Sequence, residues 1–187
     1  MRQSIELTHY LIRAIYLPRV IAYLLAALVT ASDYLQAGLL ELGVLVFLLL
    51  LIAYPHLAYY LTGRYANSTL GAQASLRFDA VLVGMLVVAN QFHFLATVSF
   101  VAALVMSILL IAAVRGLWLN LMLLGVTTLA GYGWLSLAGT DRIAAVEPEE
   151  NLLKTWLSGL FILTYSATAA ALGFTVSHHL GKGRKQL

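Results

Sequence analysis

Six apolar segments, at roughly 20–36, 39–62, 79–93, 97–114, 117–138 and 152–175, occupy most of this 187-residue chain. About 20 apolar residues cross the hydrocarbon core of a bilayer as a helix, so each segment is near the length of a span, with short loops between. Hydrophobic residues make up 61% and charged residues 10%, with a mean hydropathy of +0.90, whereas an ordinary soluble domain carries about 25% charged residues. That excludes a soluble enzyme, a disordered tail and a nucleic-acid-binding domain. Three prolines and few polar runs argue against a disordered linker. With no cysteine, disulfides, thiolate nucleophiles, Cys-ligated zinc and iron–sulfur clusters are excluded too. Little chain remains for a soluble catalytic domain.

The third segment is short and ends in the polar run Asn90-Gln91-Phe92-His93. Two full spans with a tight turn near His93–Thr97 are expected there rather than a re-entrant pair, because lipid-exposed irregular backbone is not tolerated at depth. Charge placement then sets the topology. With six spans and both termini on one side, that side holds nine of the eleven basic residues: Arg2, Arg13, Arg19, Arg64, Arg77, Arg115, Lys182, Arg184 and Lys185. Its acids are Glu6 and Asp79. The other side holds Arg142 and Lys154 against Asp33, Glu41, Asp141, Glu147, Glu149 and Glu150. Cytoplasmic loops are the basic ones, so both termini are expected in the cytoplasm, and the net charge of +3 reflects topology. Trp134 and Trp156 flank the outer loop and Trp118 follows the inner Arg115, depths that suit interfacial aromatics.

Ahead of the first span, residues 3–17 read as an amphipathic helix on the inner membrane surface. Gln3, Glu6, His9 and Arg13 recur at spacings of three and four, while Ile5, Leu11, Ile12 and Ile15 lean the other way. Pro18 is expected to turn the chain into the bilayer. Glu6 and Arg13 interrupt this stretch, which makes it unlike a cleaved signal peptide. The expected fold is therefore an all-α integral membrane domain. It comprises an interfacial helix over 1–18, six transmembrane helices over 19–176 and a cytoplasmic extension over 177–187.

Ionisable groups inside a membrane are functional candidates by default. His56 lies in the second span beside Pro55, which is expected to kink the helix, with Tyr54, Tyr59 and Tyr60 nearby. Arg19 opens the first span and Asp79 the third. Arg19, His56, Arg77 and Asp79 thus form a candidate inner-leaflet cluster, for signal transmission or ligand binding. The competing reading has Asp79 capping its helix and the arginines snorkelling to lipid phosphate. Asn90, Gln91 and His93 at the outer end of the third span, and Asn120 in the fifth, are secondary polar candidates. Hydrogen bonding between helices is their expected role. His56 and His93 lie near opposite faces and cannot share a metal. The adjacent His178 and His179 lack the i,i+4 spacing of a zinc helix. No metal, cofactor or catalytic residue is expected. The sequon at Asn67-Ser68-Thr69 falls on the inner side and carries no weight. Ala169 and Gly173 form a small-xxx-small pair in the sixth span, a candidate dimer seam or intrachain packing site.

Three strings carry a resemblance: Leu17-Pro18-Arg19, Tyr54-Pro55-His56-Leu57-Ala58, and Asp79-Ala80-Val81-Leu82-Val83-Gly84-Met85. In this order and spacing, from about residue 13 to 116, the chain resembles the bacterial membrane-associated sensor domain of the second type. The resemblance implies a place N-terminal to a cytoplasmic diguanylate cyclase or class III adenylate cyclase domain. Ala96 departs from relatives that have proline in that turn. The chain has no nucleotide-binding loop or metal-binding carboxylate pair, so the cyclase activity does not carry over.

The expected function is that of a membrane-embedded sensor and dimerising anchor that regulates a cyclase in cis, in the bacterial inner membrane. Membrane lipid, a second copy and a small ligand of unknown identity are the expected partners. The other readings are a small transporter or channel and a passive membrane anchor. The midplane stretches Val44–Leu51 and Ala102–Leu110 are nearly all apolar, which counts against a polar transport path. On this view the chain is the sensor half of a cyclase, ending where the output domain should begin.

Overall fold

The computed structural model describes residues 2–36, 38, 41–64, 68–111, 113–137 and 152–184. All regular structure among them is helical: α1 (Arg2–Gln36), α2 (Leu42–Arg64), α3 (Ser68–Ala89), α4 (Phe94–Ile111), α5 (Ala113–Leu137) and α6 (Leu152–Arg184). Among the described residues, four helices carry runs long and apolar enough to cross a membrane: Tyr16–Leu35, Leu42–Thr62, Leu70–Ala89 and Gly116–Trp134. Another, α4, carries a shorter apolar run, Phe94–Leu109. This is the architecture of a multi-pass membrane protein, in which backbone polar groups are satisfied within each helix.

Two helix boundaries differ from the sequence expectations. The first helix does not break at Pro18 but runs through it, so residues 3–17 belong to one long helix with the first span. Proline inside a membrane helix is tolerated when neighbouring groups re-satisfy the freed carbonyl. The side chains that suggested amphipathicity, Gln3 through Ile15, lie outside the described ones. The third helix begins at Ser68, a full three turns before Asp79. Its first half carries Gln73, Ser75, Arg77 and Asp79, yet it belongs to the apolar run Leu70–Ala89, and Ala72, Leu76, Ala80, Val83 and Val87 repeat at helical spacing and are all buried. Gln73 and Arg77 fall on the other side of the helix and are exposed.

The core lies along α1 and α3, where Ala26, Val29, Leu76, Ala80 and Leu86 are buried. Much of α2 and α5 faces outward, and Leu49 and Leu129 are 66% and 72% exposed. Such apolar surface is stable against lipid rather than water. Close packing of α3 on α5 depends on Gly84, since a Cβ there would collide with Thr127 Oγ1 and lie 3.1 Å from the Leu124 carbonyl oxygen. Hydroxyls within the helices bond back to carbonyls four residues earlier, as Thr30 does to Ala26 and Thr62 to Ala58.

Between α3 and α4 the chain turns at Asn90–His93. Phe92 N donates to the Val87 carbonyl (3.0 Å) and Gln91 N to that of Val88 (2.9 Å). That pattern is a Schellman cap, whose left-handed residue is usually glycine. Here Gln91 and Phe92 take φ of 53° and 57°. A non-glycine residue in that region costs about 1 kcal/mol, offset by the polar contacts of Asn90 described below.

The end of α1 and the start of α6 lie together. The start of α6 meets the end of α1 through the Lys154–Asp33 ion pair. From that pair α1 runs back to Arg2 and α6 runs on to Arg184, each over about 45 Å at ~1.5 Å per residue. The hydrocarbon core is only about 30 Å thick. Both helices therefore overhang the same end of the bundle, the end that holds Arg19.

Candidate functional site

Arg19 and Asp79 form an ion pair between α1 and α3, with side chains 17% and 9% exposed. Two i,i+4 spacings build the site. On α1, Tyr23 follows Arg19 by one turn, and its hydroxyl donates to the second carboxylate oxygen of Asp79 (2.6 Å). On α3, Ser75 precedes Asp79 by one turn, and its carbonyl accepts from Arg19 Nη2 (3.3 Å) and from the Tyr54 hydroxyl (3.0 Å). Tyr54, from α2, also accepts from Arg19 Nη2 (2.9 Å) and lies under the guanidinium, 5.2 Å from its ring centroid. One cation and one anion thus tie three helices together. A buried charge is held only when paired and hydrogen-bonded, and Asp79 has donors on both oxygens. Arg19 Nε is buried and has no hydrogen-bond partner.

The four residues expected to cluster at this end are divided by helix geometry. Residues two apart on a helix point about 200° apart. Tyr54 faces inward, whereas His56 is exposed and its Nδ1 pairs with the Tyr16 hydroxyl (2.7 Å). Tyr16 also packs on Tyr59, ring centroids 4.4 Å apart. Asp79 likewise faces inward and Arg77 outward. Pro55 is buried, in a helix that runs through it, and has no N–H to give to the Leu51 carbonyl. Asp79 lies within its helix and does not cap it. Tyr23, which sequence reading passed over, was detectable as the i+4 neighbour of Arg19.

A second polar centre sits at the C-terminal end of α1, about 21 Å from Arg19 along the helix at ~1.5 Å per residue. Lys154 is only 4% exposed, pairs with Asp33 and reaches the Asn90 carbonyl (3.5 Å). Each partner alone is badly placed, a cation in the first turn of α6 and an acid in the last turn of α1, against the helix dipoles. Pairing offsets both. The Asn90 side chain, fully buried, donates to Thr30 Oγ1 (2.9 Å) and to the Leu86 carbonyl (2.8 Å). Sequence reading placed Lys154 and Asp33 as loop-side charges; no local signal shows that residues 121 positions apart meet. Gln91 is exposed at the turn. Asn120 is buried and donates to the Gly116 carbonyl within its own helix (2.7 Å). The side chains of Ala169, Gly173, His178 and His179 lie outside the described ones.

His93 closes the turn beside this centre. Burial, then the nearby Lys154 charge, lower its pKa below the ordinary imidazole value, with Asp33 opposing. The neutral ring is favoured in the folded protein, so the unfolded chain binds more protons at mildly acidic pH. The stability tied to neutral His93 is complete above about pH 6.5 and is lost as pH falls from there through the folded value. An NMR titration of the His93 ring should give a pKa below about 6.5, and Lys154→Met should raise it without fully restoring it.

A cavity with about 420 Å³ of empty space, part of it continuous with the outside, borders the Arg19–Asp79 pair. Helices α1, α3, α4 and α6 line it, the last through Phe161 and Tyr165. The Tyr165 hydroxyl pairs with that of Ser107 on α4, and Phe161 packs edge-on against Phe100. Among the described residues no three histidine or acidic groups converge as a metal would require.

Residues 14–102 match the family model of the MASE2 domain, which spans Arg19, Tyr23, Tyr54, Asp79 and Asn90. Over those residues the chain is similar to the MASE2 domain, the sensor family that its three strings resemble. No curated protein and no solved structure matches it. The MASE2 domain is a membrane sensor domain and is not itself catalytic. Lys154 and the α6 wall of the cavity lie beyond the matched residues.

Proposed function

We propose that this chain is the sensing and dimerising membrane part of a nucleotide cyclase, diguanylate or adenylate, in a bacterial inner membrane. In this reading it crosses the bilayer six times with both ends in the cytoplasm. The observation that carries it is the shared overhang of α1 and α6 at the Arg19–Asp79 end. A change in packing at the ion pair or in the cavity bears on α6 directly, and α6 continues as one helix to Arg184. The basic residues near that end, Lys182 and Arg184 among them, favour the cytoplasmic side. Cyclases of both kinds act as dimers, so a shift of α6 alters how two output domains meet. Any stimulus must bind one packing better than the other.

The test fuses the full chain to a diguanylate cyclase domain. Tyr23→Phe removes one hydrogen bond to Asp79 and leaves the ion pair. Its expected effect is a several-fold change in cyclic dinucleotide at equal membrane levels, since about 1 kcal/mol on a two-state equilibrium moves it about fivefold. If an unrelated dimeric membrane anchor gives the same output as the native domain, and Tyr23→Phe changes nothing, the domain is a passive anchor.

A further inference from the structure

We infer that the cavity beside Arg19 and Asp79 binds a neutral single-chain amphiphile, an aliphatic chain ending in a hydroxyl or ketone. This names the ligand class of the proposed sensor and rests on that reading for its signalling role, though not for binding.

The space beside the pair is partly open to the outside, so an aliphatic chain can enter it from the lipid side. It is narrow, which admits the end of a single chain rather than a whole two-chain phospholipid. Small side chains open the space: Ala22 and Ala26 on α1 and Ala103 on α4. Phe100, Leu104, Phe161 and Leu86 make most of it apolar, suited to a hydrocarbon chain.

The polar end selects the head group. Arg19 and Asp79 cancel each other, and the Tyr23 hydroxyl is committed to Asp79. A carboxylate head would bring a second anion beside Asp79, and an ammonium a second cation beside Arg19. Either leaves one like charge uncompensated in a low-dielectric site. A neutral oxygen meets no such penalty. It meets donors instead: Arg19 Nε is buried without a partner, and the Ser107 and Tyr165 hydroxyls pair only with each other across α4 and α6. An occupant held between them joins α6 to α1 and α4, the contact a signal needs.

The full chain in phosphatidylcholine nanodiscs is photolabelled with a decan-1-ol analogue bearing a diazirine near its chain end, and adducts are mapped by mass spectrometry. Adducts are expected on Phe100, Leu104 or Phe161, displaced by excess decan-1-ol but not by decanoate or decylammonium at equal membrane loading. Ala103→Trp fills the cavity and should cut labelling about tenfold or more, because the chain loses its apolar contacts. Ala102→Trp, on the exposed side of α4, should not. Thermal unfolding checks both variants, and Ala26→Leu replaces Ala103→Trp if the latter does not fold. Undiminished labelling in folded cavity-filled variants overturns the proposal. So does equal displacement by decanoate, or labelling of the same residues by a diazirine phosphatidylcholine that decan-1-ol does not displace, which would make the occupant bilayer lipid. A response of the fused cyclase to decan-1-ol that survives loss of labelling overturns the site and leaves the sensor. Intact labelling with cyclase output indifferent both to Ala103→Trp and to the anchor swap overturns the sensor and leaves the site.

Discussion

Asp79→Ala is expected to destabilise the folded domain by about 3–5 kcal/mol, the cost of leaving a buried charge without its partner. Arg19 would keep Tyr54 and the Ser75 carbonyl but lose its only anion in the described site, and Tyr23 would lose its acceptor. The measurement is reversible unfolding in mixed micelles, followed by circular dichroism. Two further variants separate charge from shape. Arg19→Met with Asp79→Leu removes both charges and should recover most of the stability, because a buried pair often contributes little over apolar residues of similar volume. Arg19→Lys should recover little, because a point charge cannot reproduce the planar guanidinium that stacks on Tyr54. A single Asp79→Ala protein as stable as the native one would show that the pair is not buried in the membrane-bound protein.

Gly84→Ala is expected to cost about 1–3 kcal/mol, the usual penalty of overpacking. This reverses the ordinary helix preference, in which alanine in place of glycine gains roughly 1 kcal/mol. The sign follows from what the new methyl meets. Thr127 Oγ1 can rotate away, but Thr127 Cβ at 2.9 Å and the Leu124 carbonyl oxygen at 3.1 Å move only if α5 moves. Gly125→Ala is the control, since nothing lies within 4 Å of its added carbon, and it should be neutral or stabilising. The same unfolding assay compares the two. If both substitutions stabilise, α3 and α5 do not pack as closely as described.

Legibility divided along physical lines. The class of fold was readable because hydropathy acts locally: a run such as Leu42–Thr62 declares itself without knowledge of its neighbours. The start of α3 was missed because Arg77 and Asp79 look like the edge of a span, although Leu70–Ala89 is apolar enough on average, and only the partners of Asp79 explain why a carboxylate sits within a helix. Arg19 and Asp79 stood out as charges in the wrong solvent. His56 and Arg77 stood out for the same reason, yet a two-residue offset turns each away from the pair. The pairing of Lys154 with Asp33 was hidden for the opposite reason. A lysine beside a loop is unremarkable until α6 is laid against α1.

Composition and periodicity alone determined that this chain lives in a membrane as helices, and the three short strings marked the sensor family. Those properties depend on each residue's own free energy of transfer and on neighbours within a turn. Which charges meet, Arg19 with Asp79 and Lys154 with Asp33, and which small residues open a cavity among α1, α3, α4 and α6, were decided by the tertiary structure. They depend on the rotation and register of helices far apart in the chain, about which no short stretch carries information.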